Sequence, residues 1–214
     1  MLKGYLQRRA SWEILLKVSS GAYSDHALEN VIGNYEFNSL DIAFITELSF
    51  GCIRYRKYLD VWIDHTSRFS HIKQPPKLRW LLHIGLYQLL KMDKIPYSAA
   101  ISSTVEVAKR TDLKGLTGTV NAILRNTVRN IEKDNLPKTS LNEIERLSYL
   151  ESLPLWLVNE IVNWVGIKEG KNIAKAFNKK PSIDLRINPL KTDLDKFLKV
   201  LHENKIDAEI IKDL

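Results

Sequence analysis

The residues best suited to chemistry in this chain are cationic, and they come in clusters. Arg8 and Arg9 are adjacent near the start. Arg54, Arg56 and Lys57 crowd one short stretch, and Lys109, Arg110 and Lys114 form another. Arg125 and Arg129 lie one helical turn apart. A guanidinium grips phosphate oxygens through a planar fork of N–H donors and can stack on a base. Tyr5, Tyr55 and Tyr58 stand beside these clusters, and aromatic rings are common platforms for unpaired bases. Taken singly, an arginine at a helix end also reads as a partner for the helix dipole. Taken as a set, Arg8, Arg9, Arg54, Arg56, Lys57, Lys109, Arg110, Lys114, Arg125 and Arg129 are the expected RNA-binding residues.

Residues for covalent or metal chemistry do not assemble. Cys52, the single cysteine, follows Gly51 on an apolar stripe with no histidine nearby. It reads as a small buried hydrophobe. His26, His65, His71, His83 and His202 lack metal-ligand spacing. Asp60 and Asp64 share a helix face and read as exposed charges. Gly115-Leu-Thr-Gly118 has the spacing of a KH clamp, but its flanks read as helical. There is no P-loop and no Gly-x-Gly-x-x-Gly. No catalytic, cofactor-binding or metal-binding residue is therefore expected.

Charge supports the cationic reading. The formal net charge is +7, and it is unevenly spread. Residues 1–138 carry 20 Lys+Arg against 13 Asp+Glu, and residues 139–214 carry 12 against 12. A basic surface of this kind suits a phosphate polymer. Hydrophobic residues make up 44%, enough for one good core and a second, smaller one. No apolar run reaches the roughly 20 residues that span a bilayer. The first residues lack the apolar stretch of a signal peptide. One cysteine excludes an internal disulfide. The expectation is a cytoplasmic protein with no membrane and no metal partner.

The elements that must position these side chains are mostly helices. Leu6, Ala10, Ile14 and Val18 form a stripe widened by Trp12 and Leu15. Gly21 ends that helix, and Ser24 is placed to cap the next. Leu40, Phe44, Leu48, Cys52 and Tyr55 mark a third, and Leu59, Trp62 and Ile63 a fourth. Pro75-Pro76 breaks the chain, and the second proline suits a helix start. The helix from Leu78 to about Lys91 is apolar on most sides, so it should be central. Gly85 inside it suggests close approach by a neighbouring helix. Pro96 opens a sixth helix, and a seventh carries Val120, Ile123, Leu124, Thr127 and Val128 on one face and Asn121, Arg125 and Arg129 on another.

After Asn135-Leu-Pro-Lys138 the pattern changes. A helix from Leu155 should end at Gly166, with a short helix from Lys168 to Phe177 beyond it. Ile183–Asn188 and Ala208–Ile211 alternate as strands do, around a helix carrying Leu194, Phe197, Leu198 and Leu201. The expected fold is mainly α: a bundle of about seven helices over residues 1–138, then a linker helix and a small α+β segment over 139–214. Two strands around one helix make no stable sheet alone, so the chain reads as stopping inside a domain.

Several blocks carry a family resemblance. They are Val18-Ser-Ser-Gly-Ala-Tyr-Ser-Asp-His-Ala-Leu28, Asp41-Ile-Ala-Phe-Ile-Thr-Glu-Leu48, Gly51-Cys-Ile-Arg54, Gly85-Leu-Tyr-Gln-Leu-Leu90, Ile95-Pro96 and Val120-Asn-Ala-Ile-Leu-Arg125. In that order they resemble the NusB-like domain at the N-terminus of Sun/RsmB ribosomal RNA cytosine-C5 methyltransferases. Leu153-Pro-Leu-Trp-Leu157, Gly166 and Leu185-Arg-Ile-Asn188 look like the opening of that family's methyltransferase region. Ile42 stands where the family usually has arginine, and Cys52 where threonine is common.

The resemblance implies the RNA-binding portion of an S-adenosylmethionine-dependent small-subunit rRNA methyltransferase. In that chemistry a cysteine thiolate adds to C6 of cytosine and activates C5. The cofactor site and the nucleophile are expected beyond Leu214, so this portion should be inactive alone. The alternative is a non-enzymatic NusB-type antitermination factor working with a ribosomal protein.

Overall fold

Apolar positions recurring every three to four residues build ten α-helices in the computed structural model, which describes residues 4–137, 142–179 and 183–210. The helices are α1 (Tyr5–Ser19), α2 (Ser24–Ile32), α3 (Ser39–Arg54), α4 (Arg56–Thr66), α5 (Pro76–Lys91), α6 (Tyr97–Lys109), α7 (Thr117–Glu132), α8 (Glu143–Leu150), α9 (Leu155–Phe177) and α10 (Leu194–Glu203). The seven expected helices of the first part are all present.

Helix α5 is the axis of the bundle. Pro76 occupies its first turn, where a missing N–H costs nothing. Leu78, Leu81, Leu82, Ile84 and Leu86 are fully buried. Helices α1, α3, α4, α6 and α7 all pack on it. Gly85 permits the close approach of α7. A Cβ there would lie 2.6 Å from Leu124 Cδ2 of α7, inside van der Waals contact. Trp12 of α1 closes one end, its Nε1 donating to the Lys77 carbonyl at 2.9 Å. A smaller apolar cluster, Ala10, Ile14, Ala27, Val31 and Ile45, joins α1, α2 and α3.

Helix ends show where local chemistry decided. Asn38 caps α3, its side chain accepting from the Asp41 N–H at 2.9 Å. Ser24 does not cap α2. It is the first helical residue, Tyr23 precedes it, and its hydroxyl turns to Asp25 Oδ1 at 3.2 Å. Gly166, with φ of 75°, interrupts α9 where the sequence reading ended the helix. Only glycine takes such a conformation without strain.

Helices α8 and α9 pack on each other around Leu147, Val158 and Ala174. They are tied to the bundle through α4. The Lys57 N–H donates to Ser152 Oγ at 2.8 Å, and Lys57 Nζ donates to the Leu153 carbonyl at 3.0 Å and Ser148 Oγ at 3.3 Å. The first compact unit therefore runs to Asn178.

Residues 179–214 form a second unit. Asp193 caps α10 by accepting from the Lys196 N–H at 2.8 Å. The expected α+β character is corrected here: no strand occurs among the described residues. Among the described residues neither Ile183–Asn188 nor residues 208–210 form a strand, and Ile211 lies outside them. Alternating hydrophobicity makes a strand only against a neighbour and a covering layer. Ile183 is 85% exposed and Leu185 58%, so no layer among the described residues covers them.

Candidate nucleic-acid interface

Helix α7 is amphipathic. Val120, Ile123, Leu124 and Thr127 are buried, which turns Asn121, Arg125 and Arg129 outward at helical spacing. Beside it, α6 buries Ala100, Val107 and Ala108 and leaves Lys109 exposed at its end. Between the two helices runs a groove of about 1040 Å³. Lys109, Arg125 and Arg129 line it, with Tyr97 at the start of α6 and Val105 and Val128 beneath.

The arginines of this groove are engaged only along their own helix among the described residues. Arg125 Nε donates to Asn121 Oδ1 at 3.0 Å, and Arg129 Nε reaches the Arg125 carbonyl at 3.4 Å. Neither forms an ion pair among the described residues. Glu106 lies in the wall, but Arg110 Nε holds its carboxylate at 2.5 Å. Glu132 is the other acid along the groove. Cations over an apolar floor suit a phosphate backbone whose bases meet apolar or aromatic surface.

Arg110 and Lys114 stand exposed near the end of α6. The Arg110 guanidinium lies 5.0 Å from the Tyr5 ring centre. Arg54 and Arg56 are exposed where α3 meets α4, Arg56 sitting over Trp80 at 5.2 Å. Arg9 pairs with Glu13 at 2.9 Å. That carboxylate, with the Tyr5 hydroxyl, holds its pKa above the ordinary arginine value.

Two expected rim residues point inward. Arg8 is 8% exposed. Its Nε and Nη2 donate to Gln88 Oε1 at 2.8 and 2.7 Å, Nη1 reaches the Gly4 carbonyl at 3.2 Å, and the guanidinium covers Phe44 at 4.4 Å. Burial pulls its pKa down to about 10. Gln88 arrives from the last turn of α5, which no pattern around Arg8 could announce. Lys57 spends its ammonium on α8 as described, and burial lowers its pKa.

Of the three tyrosines beside the cationic clusters, which read as core edge more readily than as base platforms, Tyr5 is buried. Tyr55 and Tyr58 flank the Lys91 ammonium at 4.4 and 4.7 Å. Tyr97 was missed by the sequence reading, although an aromatic residue directly after a helix-opening proline was visible there.

Asp60, unlike Asp64, is not the exposed charge expected from the sequence. It is 6% exposed. Arg79 grips both its oxygens, Nε at 2.7 Å from Oδ1, and His83 Nε2 lies 2.8 Å from Oδ1. Burial acts to raise the carboxyl pKa, but the His83 and Arg79 hydrogen bonds outweigh it and bring it down to about 2. His83 is held neutral by burial. Its Nδ1 has no partner among the described residues, so a second proton there would be a buried donor with nothing to donate to. The cluster is a core staple between α4 and α5.

Cys52 is fully buried and burial drives its thiol pKa well up, which suppresses the thiolate. No group of His, Cys, Asp and Glu among the described residues could hold a metal ion. No described helix is long and apolar enough to cross a membrane.

Comparison with known proteins places this geometry. The NusB family model matches residues 6–129. The model described as Methyltr_RsmF/B-like, ferredoxin-like domain matches residues 153–214. The probable ribosomal RNA small subunit methyltransferase B of Synechocystis sp. is 38% identical over 173 residues, covering 80% of this chain and 38% of that protein. The probable ribosomal RNA small subunit methyltransferase B of Bacillus subtilis is 31% identical over 209 residues, covering 94% of this chain and 45% of its own. This chain thus spans less than half the length of these relatives. The crystal structure of PH0851 superposes with a TM-score of 0.66 at 15% identity, over 98% of this chain and 47% of that one. At that identity it shows the fold.

Proposed function

As the chain belongs to the NusB family, we propose that its helical bundle is the RNA-docking portion of a cytoplasmic small-subunit ribosomal RNA cytosine-C5 methyltransferase. The groove between α6 and α7 carries the proposal. Its three exposed cations, Lys109, Arg125 and Arg129, share one surface and lack carboxylate partners among the described residues. Arg54, Arg56, Arg110 and Lys114 add exposed charge, whereas Arg8 and Lys57 support the fold. The RsmF/B-type match over residues 153–214 favours a methyltransferase over a free-standing antitermination factor with a ribosomal protein partner. In this reading residues 1–138 are the docking domain and residues 139–214 open a methyltransferase region.

Within such an enzyme, S-adenosylmethionine would supply the methyl group. The residues of this chain would bind and orient the RNA. With its one thiol sealed in the core, this chain alone transfers no methyl by the thiolate route. Titration of a labelled small-subunit rRNA fragment, with and without labelled S-adenosylmethionine, tests both statements. Salt-dependent binding without methyl incorporation is expected. Salt-insensitive binding, or incorporation by these 214 residues, would overturn the assignment.

A further inference from the structure

The segment between α4 and α5 displays what a soluble bundle normally hides. Phe69 is 57% exposed and Ile72 79%, and both sit among exposed cations, Arg68 and Lys73. The Arg68 guanidinium lies 5.7 Å from the Phe69 ring centre. Exposed apolar side chains on a floppy loop would fold back or cost ordering entropy on binding. Here the loop is already held.

Gln74, 8% exposed, donates through Nε2 to Ser67 Oγ and to the Phe69 carbonyl, both at 3.0 Å. Asp64 accepts the His71 N–H at 2.6 Å, and its second oxygen meets His71 Nδ1 at 2.8 Å. The acid nearest the loop in sequence is thereby used inside it, and the outward charge is positive.

The loop also leaves the bundle beside the groove helix. Asn126, next to Arg125 on α7, donates through Nδ2 to the Thr66 carbonyl at 2.8 Å, and Thr66 ends α4.

From these observations we propose that residues 67–73 form a preorganised finger that stacks one unpaired RNA base on Phe69 while Arg68 and Lys73 meet the adjoining phosphates. The finger would extend the α6–α7 groove onto the neighbouring face of α7, and it rests on the reading of that groove as an RNA surface. Base–aromatic stacking tolerates any base, because every base offers a π face. The finger therefore adds affinity for single-stranded RNA rather than sequence preference. Prior ordering by Gln74 and Asp64 means little entropy is lost when a base arrives.

The experiment uses the whole chain and a single-stranded RNA of about 12 nucleotides carrying a fluorescent adenine analogue, a length that one such surface covers. Phe69→Ala should weaken binding about tenfold, leave the slope of affinity against salt unchanged, and abolish the fluorescence quenching that stacking causes. Phe69→Trp should restore both affinity and quenching. Arg68→Ala should flatten the slope by about one phosphate contact. Phe69 is exposed, so these variants should keep the parent melting temperature, which serves as the folding control. Gln74→Ala, which frees the loop with the ring in place, should weaken binding as well.

If Phe69→Ala and Phe69→Trp bind like the parent while Arg125→Ala/Arg129→Ala weakens binding, the finger is overturned and the groove stands. The apolar loop then belongs to a protein partner. If the groove variant also binds like the parent, the RNA reading of the bundle fails, and the finger fails with it.

Discussion

Replacing Arg125 and Arg129 with alanine separates phosphate-binding arginines from structural ones. The groove offers three exposed cations, Lys109, Arg125 and Arg129. Each phosphate neutralised on a single strand contributes about 0.7 to the slope of log affinity against log salt. Three contacts give a slope near 2, so raising salt from about 50 to about 200 mM should weaken groove binding about 20-fold. With only Lys109 left, the groove contribution should fall to less than about threefold over the same range.

Arg8 supplies the contrast. Its guanidinium makes two hydrogen bonds to Gln88 and one to Gly4 inside the bundle. Arg8→Ala strands a buried Gln88 oxygen, and such a loss costs about 1–3 kcal/mol of stability. It should leave the salt slope of the folded protein unchanged. Fluorescence anisotropy across a salt series reads the slope, and thermal melting reads the stability. A folded Arg8→Ala protein with a slope flattened as much as that of the double variant would refute the placement of the phosphate surface on α6 and α7.

Other perturbations test the scaffold. Asp60 has a carboxyl pKa of about 2 against 3.8 for the free side chain. A depressed carboxyl stabilises above its unfolded pKa and loses that stability as pH falls. Acidification through the window from 3.8 to about 2 should therefore cost about 2 kcal/mol. Neutral buried His83 adds to acid sensitivity from 6.5 downward, where the unfolded chain takes up the proton first. Asp60→Asn should destabilise by about 3 kcal/mol in chemical denaturation and remove the lower window; an unchanged acid profile would show that the staple is energetically idle. Gly85→Ala, despite better helix propensity, should lower the melting temperature through the Leu124 clash, by an overpacking cost of about 1–3 kcal/mol. Lys57→Met should speed amide exchange in α8 while leaving α5 protected, and α8 exchange equal to that of the parent would detach Lys57 from that role.

Much of the bundle follows from local pattern alone. Helix α5 is apolar on most sides, so it had to be enclosed. Gly85 within it had to admit a neighbour, which proved to be Leu124. Pro76, Pro96 and Gly166 mark helix boundaries because their backbone preferences act without a partner. The i, i+4 spacing of Asn121, Arg125 and Arg129 gave α7 a polar face wherever the helix packed.

What depended on distant residues was not legible. Arg8 and Arg9 look alike in sequence, yet Gln88, 80 residues away, draws one inward while Glu13 holds the other at the surface. Asp60 seemed an exposed acid until Arg79 and His83, from another helix, enclosed it. Ile183–Asn188 alternates as a strand would, but alternation states a preference and pairing needs a neighbour. Helical periodicity is satisfied within one segment, so sequence determines it. The fate of a charge or an extended segment is settled by whichever groups the fold brings beside it, and those meet only in three dimensions.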